Sequence, residues 1–412
     1  MFAMLSRKPF SVWSLIASLY TTQYLGLSFF SVALVAILRK QGAPLEQISS
    51  VYALGMIGAC KFLWAPLVDK IRFTPRIGHF RGWLILMQSL LVVVLCAIAS
   101  LDVQTDFGSV YLLCIVIALC GATQDIATDG LVCSILSKEE RGIGNGIQTA
   151  GGMLGFMIGA GFVLMAYPSL GWRQSVLILA LGTAVSLVQL LFFIEDELQI
   201  QKQSGLQAAV RLVGFWRQPG MASWLVMLLL FPMGITVAYS LLTPILVDNH
   251  WSLERIGFYV DVLGPVMGIA SSLFAGWMIS RHGRSFTMNY CLGMQLLSIA
   301  AVLFMAMGNV STSMVVAAVM AHFLGYVPSV TMLSTLMMDH ASKESPATDY
   351  TVQFSIYQFF AMGMGGTGMV MAGRLGYSAT ICAALACSAL GGIFARFYVS
   401  SSAKKEPRAP VA

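Results

Sequence analysis

Ser137 to Gln148 reads SKEERGIGNGIQ, and Ser342 to Gln353 reads SKESPATDYTVQ. The two stretches share their opening Ser-Lys-Glu and their closing Gln, and each lies between two long apolar runs. A second pair stands ahead of them at similar offsets, LEQIS at Leu45 to Ser49 and LERIG at Leu253 to Gly257. Matching short echoes at matching places imply two parallel copies of one unit, related about an axis normal to a membrane.

Working outward from these echoes, the apolar runs fall at 12–38, 47–68, 82–101, 108–136, 142–167, 171–194, 221–247, 255–280, 286–308, 310–338, 346–372 and 376–398. A helix needs about 20 apolar residues to cross the hydrocarbon, and these runs provide them. The first echo then joins the fourth and fifth helix of each copy, and the second opens the second helix. The predicted fold is an all-α membrane protein of twelve transmembrane helices in two pseudo-symmetric six-helix bundles. The bundles are expected at 1–194 and 221–398, with a linker at 195–220 and a tail at 399–412.

Composition agrees. Of 412 residues, 58% are hydrophobic and 10% charged, with a mean hydropathy of +0.80; soluble domains carry about 25% charged residues. The net charge of +6 sits mostly in short connections, which suits membrane orientation rather than nucleic acid. Arg7, Lys8, Lys70, Arg72, Lys138, Arg217, Arg281, Arg284, Lys343 and Lys404 share one side of a twelve-span chain, which puts both termini in the cytoplasm. Arg39, Lys40, Arg173 and Arg255 are the exceptions. Because apolar runs recur to the C-terminus, the first is not read as a signal peptide. The eight cysteines form no CxxC pair, no His/Cys cluster has metal-site spacing, and there is no P-loop. No enzyme, metal site or ATP-driven function is expected.

Charges inside hydrocarbon are costly and usually face a cavity or one another. Lys61 lies in the second run, and Asp125 and Asp129 lie in the fourth, four residues apart and so on one helix face. Lys61 can pair with either carboxylate. The set reads as a proton or substrate relay, or as an ion pair that holds helices together. Gln23, Tyr24, Phe30, Gln124, Gln148, Tyr239, His322, Gln353 and Tyr357 are candidates to line a cavity of aromatic rings and amides. His322 either titrates near neutral pH or sits neutral in the interior. At the ends of the second and eighth runs, Asp69, Arg72, Arg281 and Arg284 are candidates for a gating loop.

Gly276 to Arg284, GWMISRHGR, resembles the Gly-x-x-x-Asp-Arg-x-Gly-Arg loop of major facilitator proteins, with Ser280 at the Asp position. The first copy keeps Asp69, so any latch made there is expected to be asymmetric. KFLWAPLVDK (Lys61 to Lys70) and ATQDIATDG (Ala122 to Gly130) resemble one branch of that superfamily. It holds the bacterial muropeptide permeases, the acetyl-CoA transporters and a group of siderophore permeases. LYTTQYLGLSFFSVALVAILRKQGAPLEQIS (Leu19 to Ser49) strengthens the likeness. Gln23 is kept there, while Tyr24, Leu25 and Gly26 replace a Gly-Leu-Pro-like piece, which is more similar to the siderophore permeases, including those for the phenol-thiazoline chelate pyochelin.

This resemblance implies a monomeric, multi-pass protein of a Gram-negative inner membrane that imports a siderophore or its ferric complex. The proton is the implied coupling ion, with Asp125 as its candidate carrier, and iron enters only as part of the transported chelate. Uptake of muropeptides or another small solute is the first alternative. Export of a siderophore or drug is the second, disfavoured by a fifth helix with no internal proline before Pro168.

Overall fold

Hydrocarbon offers no water to backbone N–H and C=O groups, so a chain that spans it must satisfy them within its own segments, as helices do. The computed structural model describes residues 8–42, 44, 50–51, 53–71, 73, 77–103, 105–195 and 214–405. LEQIS, Arg72 and most of the expected linker lie outside the described residues. Among those described, eight helical runs are long and apolar enough to cross a membrane: Phe10–Lys40, His79–Ser100, Phe107–Ile135, Arg141–Phe192, Met221–Asp248, Glu254–Ala306, Thr312–His340 and Tyr377–Val399.

Two of these runs are double spans. The 52-residue run breaks at Gly171 (φ 74°) and the 53-residue run at Gly283 (φ 81°). Positive φ costs a side-chain-bearing residue about 1–2 kcal/mol, so glycine is what lets the chain turn there. Pro346–Leu375 adds another helix of 30 residues. The second span is built from pieces, Gly55–Ala59, a 3-10 turn at Cys60–Leu63, and Ala65–Lys70. Counted this way, the described residues contain the twelve spans expected from the sequence. The span expected over 47–68 is thus a broken helix over its described residues. Pro66 has no N–H to give to the carbonyl of residue 62, and Trp64 (φ −115°, ψ 1°) leaves the helical region.

Three helices contain wide π turns, at Phe29–Leu34 in the first, Met157–Phe162 in the fifth and Gly257–Leu263 in the eighth. Such turns insert one extra residue into an α-helix and often mark functional segments.

The chain divides into two compact units. The first comprises Met1–Lys138, Ile147–Leu212 and Met337–Ser355; the second comprises Glu139–Gly146, Val213–Leu336 and Ile356–Ala412. Inside the first, Phe29, Leu34, Leu95 and Ile117 belong to a buried apolar core. A buried amide ties its helices: Gln88 Nε2 donates to Thr22 Oγ1 (3.0 Å), and Gln88 Oε1 accepts the Ser186 hydroxyl (2.6 Å). The second unit repeats the device, where Gln295 Nε2 donates to Ser329 Oγ (2.8 Å) and Gln295 Oε1 accepts the Ser388 hydroxyl (2.9 Å). The third span is thus joined to the sixth as the ninth is to the twelfth, which is the internal repeat seen at the level of side chains.

The third span also starts on a clasp. Glu195 accepts the N–H groups of Phe80 (3.2 Å) and Arg81 (2.7 Å), and Arg81 in turn donates to the carbonyls of Leu190 and Leu191 (both 2.8 Å). Helix starts leave N–H groups unpaired, and here the end of the sixth span supplies the acceptor.

Candidate functional site

The break in the second span presents Lys61 from its 3-10 turn, and the ammonium forms an ion pair with Asp125 Oδ2. The Lys61 side chain is 4% exposed and that of Asp125 20% exposed, so Asp125 is the open side of the pair. The Lys61 ammonium also lies 4.9 Å from the centre of the Phe354 ring, a distance at which a cation is drawn to an aromatic face. Trp64 nearby donates its indole N–H to Thr123 Oγ1 (3.1 Å).

Asp129, one turn further along the fourth span, is buried and differently held. Its Oδ1 accepts the Tyr20 hydroxyl (2.9 Å) and Gln148 Nε2 (3.0 Å), and the Tyr350 hydroxyl donates to Gln148 Oε1 (3.1 Å). Asp129 has no ion pair among the described residues. The choice the sequence leaves open is therefore made in favour of Asp125 as the partner of Lys61. All of these residues belong to the first unit.

Around them, Gln124 Nε2 donates to the Leu19 carbonyl (3.2 Å), while the side-chain oxygens of Gln23 and Gln124 are buried without a partner. Tyr24 lies beside Gly152. Phe30 is packed in the apolar core. Gln353 is fully buried, and its amide donates to the carbonyls of Met337 (3.1 Å) and Asp349 (2.8 Å), which turns it toward helix packing.

The second unit gathers the remaining aromatic candidates. Tyr239 stacks on His322 (centroids 4.7 Å, 12° between planes), and His322 stacks on Tyr326 (5.4 Å, 18°). The Tyr326 and Tyr357 hydroxyls are hydrogen-bonded. His322 Nδ1 lies 3.3 Å from Ser298 Oγ, and its buried Nε2 has no partner. Tyr239 is 40% exposed, so the stack has one accessible end.

The loop candidates separate. In the last turn of the second span, buried Asp69 accepts the N–H groups of Ala347 (3.3 Å) and Thr348 (2.8 Å) and the Thr348 hydroxyl (2.6 Å). It thereby caps the helix that begins at Pro346, where a carboxylate is favoured by the helix dipole. Ser280, at the corresponding place after the eighth span, donates to the Glu139 carbonyl (2.8 Å), just ahead of the fifth helix. Arg281 is exposed and makes no hydrogen bond or ion pair among the described residues, and Arg284 is half-buried. Tyr20, Tyr350 and Thr348 are site residues that spacing did not single out; a hydroxyl in an otherwise apolar run was the available signal for Tyr20.

The family model of the Major Facilitator Superfamily matches residues 16–369. The chain belongs to the Major Facilitator Superfamily. The Escherichia coli K12 anhydromuropeptide permease is 31% identical over 264 residues, 62% of this chain. The match spans about half, 53%, of that permease's own length. Two solved structures share the fold: the human organic anion transporter MFSD10, TM-score 0.69 at 15% identity, over 94% of this chain and 100% of the other, and a bacterial homologue of the iron transporter ferroportin in an outward-facing state, TM-score 0.67 at 16% identity, over 95% and 100%. Major facilitator membership agrees with the multi-pass helical architecture described above.

Proposed function

We propose that this chain is a secondary active importer that carries a small solute across the bacterial inner membrane by proton symport, with Asp125 as the residue that takes up the proton. The observation that carries this reading is the Lys61–Asp125 ion pair: a charged pair inside the spans, closed at Lys61 and open at Asp125. Charges are retained in hydrocarbon mostly where a substrate or ion path runs.

For the substrate, the relationship to the E. coli permease supports a cell-wall anhydromuropeptide. A siderophore or ferric siderophore of the pyochelin type is the second reading. The accessible stack of Tyr239, His322 and Tyr326, with the unpartnered His322 Nε2, favours it, since flat rings bind well on aromatic faces. The departure at Tyr24, Leu25 and Gly26 favours it as well.

The test is uptake into proteoliposomes holding only this protein, with and without an inward proton gradient. One arm uses labelled anhydromuropeptide and the other uses ferric pyochelin tagged separately on iron and ligand. Gradient-driven entry of the muropeptide alone supports the first reading, and entry of both pyochelin labels supports the second. No entry of either, with the protein shown folded, overturns both.

A further inference from the structure

Among the described residues Lys61 is the only buried Lys or Arg. Its ammonium meets one carboxylate, Asp125, and the Phe354 ring. Asp129 is turned to Tyr20 and Gln148 instead. Lys61 is therefore a cation with a single ionic partner, and that partner is the more exposed of the two, 20% against 4%.

We propose that Lys61 is the binding point for a carboxylate of the transported solute, which replaces Asp125 on the ammonium while Asp125 takes the coupled proton. This deepens the importer reading and rests on it. The exchange balances: before it, Lys61 is positive and Asp125 negative; after it, the solute carboxylate is negative and Asp125 neutral, and the proton sits on the Asp125 oxygen that faced Lys61. The charge of the buried cluster is the same in both states, which is what hydrocarbon demands. Anhydromuropeptide and iron-free pyochelin each bear a free carboxylate, so the same point serves either, with the remainder of the solute read elsewhere.

The fixed surroundings suit this exchange. Phe354 holds the ammonium from a side that needs no counter-ion. Asp129 on the fourth span interacts electrostatically with both members of the pair, and Tyr20 on the first span and Tyr350 on the eleventh are linked to Asp129 rather than to the pair. Tyr20 and Tyr350 are engaged in the hydrogen-bond chain through Asp129 and Gln148. That leaves Asp125 as the group free to trade places.

The experiment measures binding to the purified full chain in nanodiscs. The probes are anhydromuropeptide and iron-free pyochelin, each compared with its carboxamide counterpart. Wild-type protein is expected to prefer the acid by about tenfold or more, and acid binding should take up one proton per site. Asp125→Asn should bind the acid more tightly, because the competitor is gone, and without proton uptake. The double variant Lys61→Gln, Asp125→Asn carries no charge and should bind acid and amide alike. Discrimination that survives in the double variant, shown folded by gel filtration, overturns the inference, as does wild-type binding that ignores the carboxylate. The single variant keeps the test decisive if the double one fails to fold. Wild-type protein that binds neither pair overturns the substrate readings and this inference with them; binding without discrimination overturns this inference alone.

Discussion

Asp125→Asn is expected to yield a carrier that exchanges solute across the membrane but no longer accumulates it in response to a proton gradient. An amide in this position cannot take a proton from one side and release it on the other. It also leaves the Lys61 ammonium without its anion. Removing one member of a buried pair costs up to about 3–5 kcal/mol, less here because the Asp125 side chain is not fully closed in. A lowered unfolding temperature should therefore accompany the loss of coupling, with Lys61→Gln in the same chain restoring stability but not coupling.

Asp129→Asn is expected to behave differently. Both donors to Asp129 reach the same oxygen, Oδ1, and a carboxamide carbonyl accepts them equally well. Gradient-driven uptake should stay within about twofold of wild type. Asp129→Leu removes that acceptor and strands the Tyr20 hydroxyl, at about 1–3 kcal/mol. Counterflow and gradient-driven uptake measured side by side separate the two sites. If Asp129→Asn uncouples transport while Asp125→Asn does not, the roles assigned to the two carboxylates are reversed.

The second large effect concerns the crossing of the first and fifth helices. A methyl group on Gly159 would meet Ser28 Oγ and, at 2.5 Å, the Leu25 carbonyl; one on Gly155 would meet the Thr21 carbonyl and, at 3.0 Å, Tyr24 Cβ. Ser28 can rotate away, but the Leu25 and Thr21 carbonyls are backbone and cannot; here backbone rests on backbone, as small residues allow in membranes. Overpacking a tight core costs about 1–3 kcal/mol for added methylenes, and a Leu at Gly159 adds a whole side chain where only a hydrogen fits. Gly159→Leu should give no monodisperse protein in detergent, and Gly155→Ala a clearly lowered unfolding temperature. Gly161 has nothing within 4 Å of its added carbon, so Gly161→Ala should be neutral. A stable Gly159→Leu protein would show that this crossing is looser than drawn.

The glycines also mark how far sequence alone could go. Gly151, Gly152, Gly155, Gly159 and Gly161 crowd the fifth helix, which marks a tendency to pack closely, but Gly159 and Gly161 look alike in a string of letters. Only the direction of the helix face tells them apart. The twelve spans were legible because apolar length is a property of each segment by itself. The two halves were legible because SKEERGIGNGIQ and SKESPATDYTVQ sit at equivalent joints.

Apart from the Lys61 ion pair, contacts between distant segments were not legible. Asp69 finds its donors 278 and 279 residues away, and no local pattern announces that. Asp125 and Asp129 share a helix face by spacing, and a difference of one turn in depth decided which of them meets Lys61. The broken second span was half-visible in Pro66. The Gln88–Ser186 and Gln295–Ser388 pairs were not picked out, because a lone Gln in an apolar run has no spacing signature until its partner is known.

The wide turns at Phe29–Leu34, Met157–Phe162 and Gly257–Leu263 bear on chain length. Elsewhere in a helix, losing one residue rotates everything beyond it by about 100° and turns lipid-facing residues inward. Inside a π turn, the same loss returns the helix to its ordinary winding and leaves both flanks on their original neighbours. These three places are therefore where homologous chains can differ by a single codon without disturbing either bundle, and where a one-residue gap in an alignment is a shortened turn rather than a misplaced register.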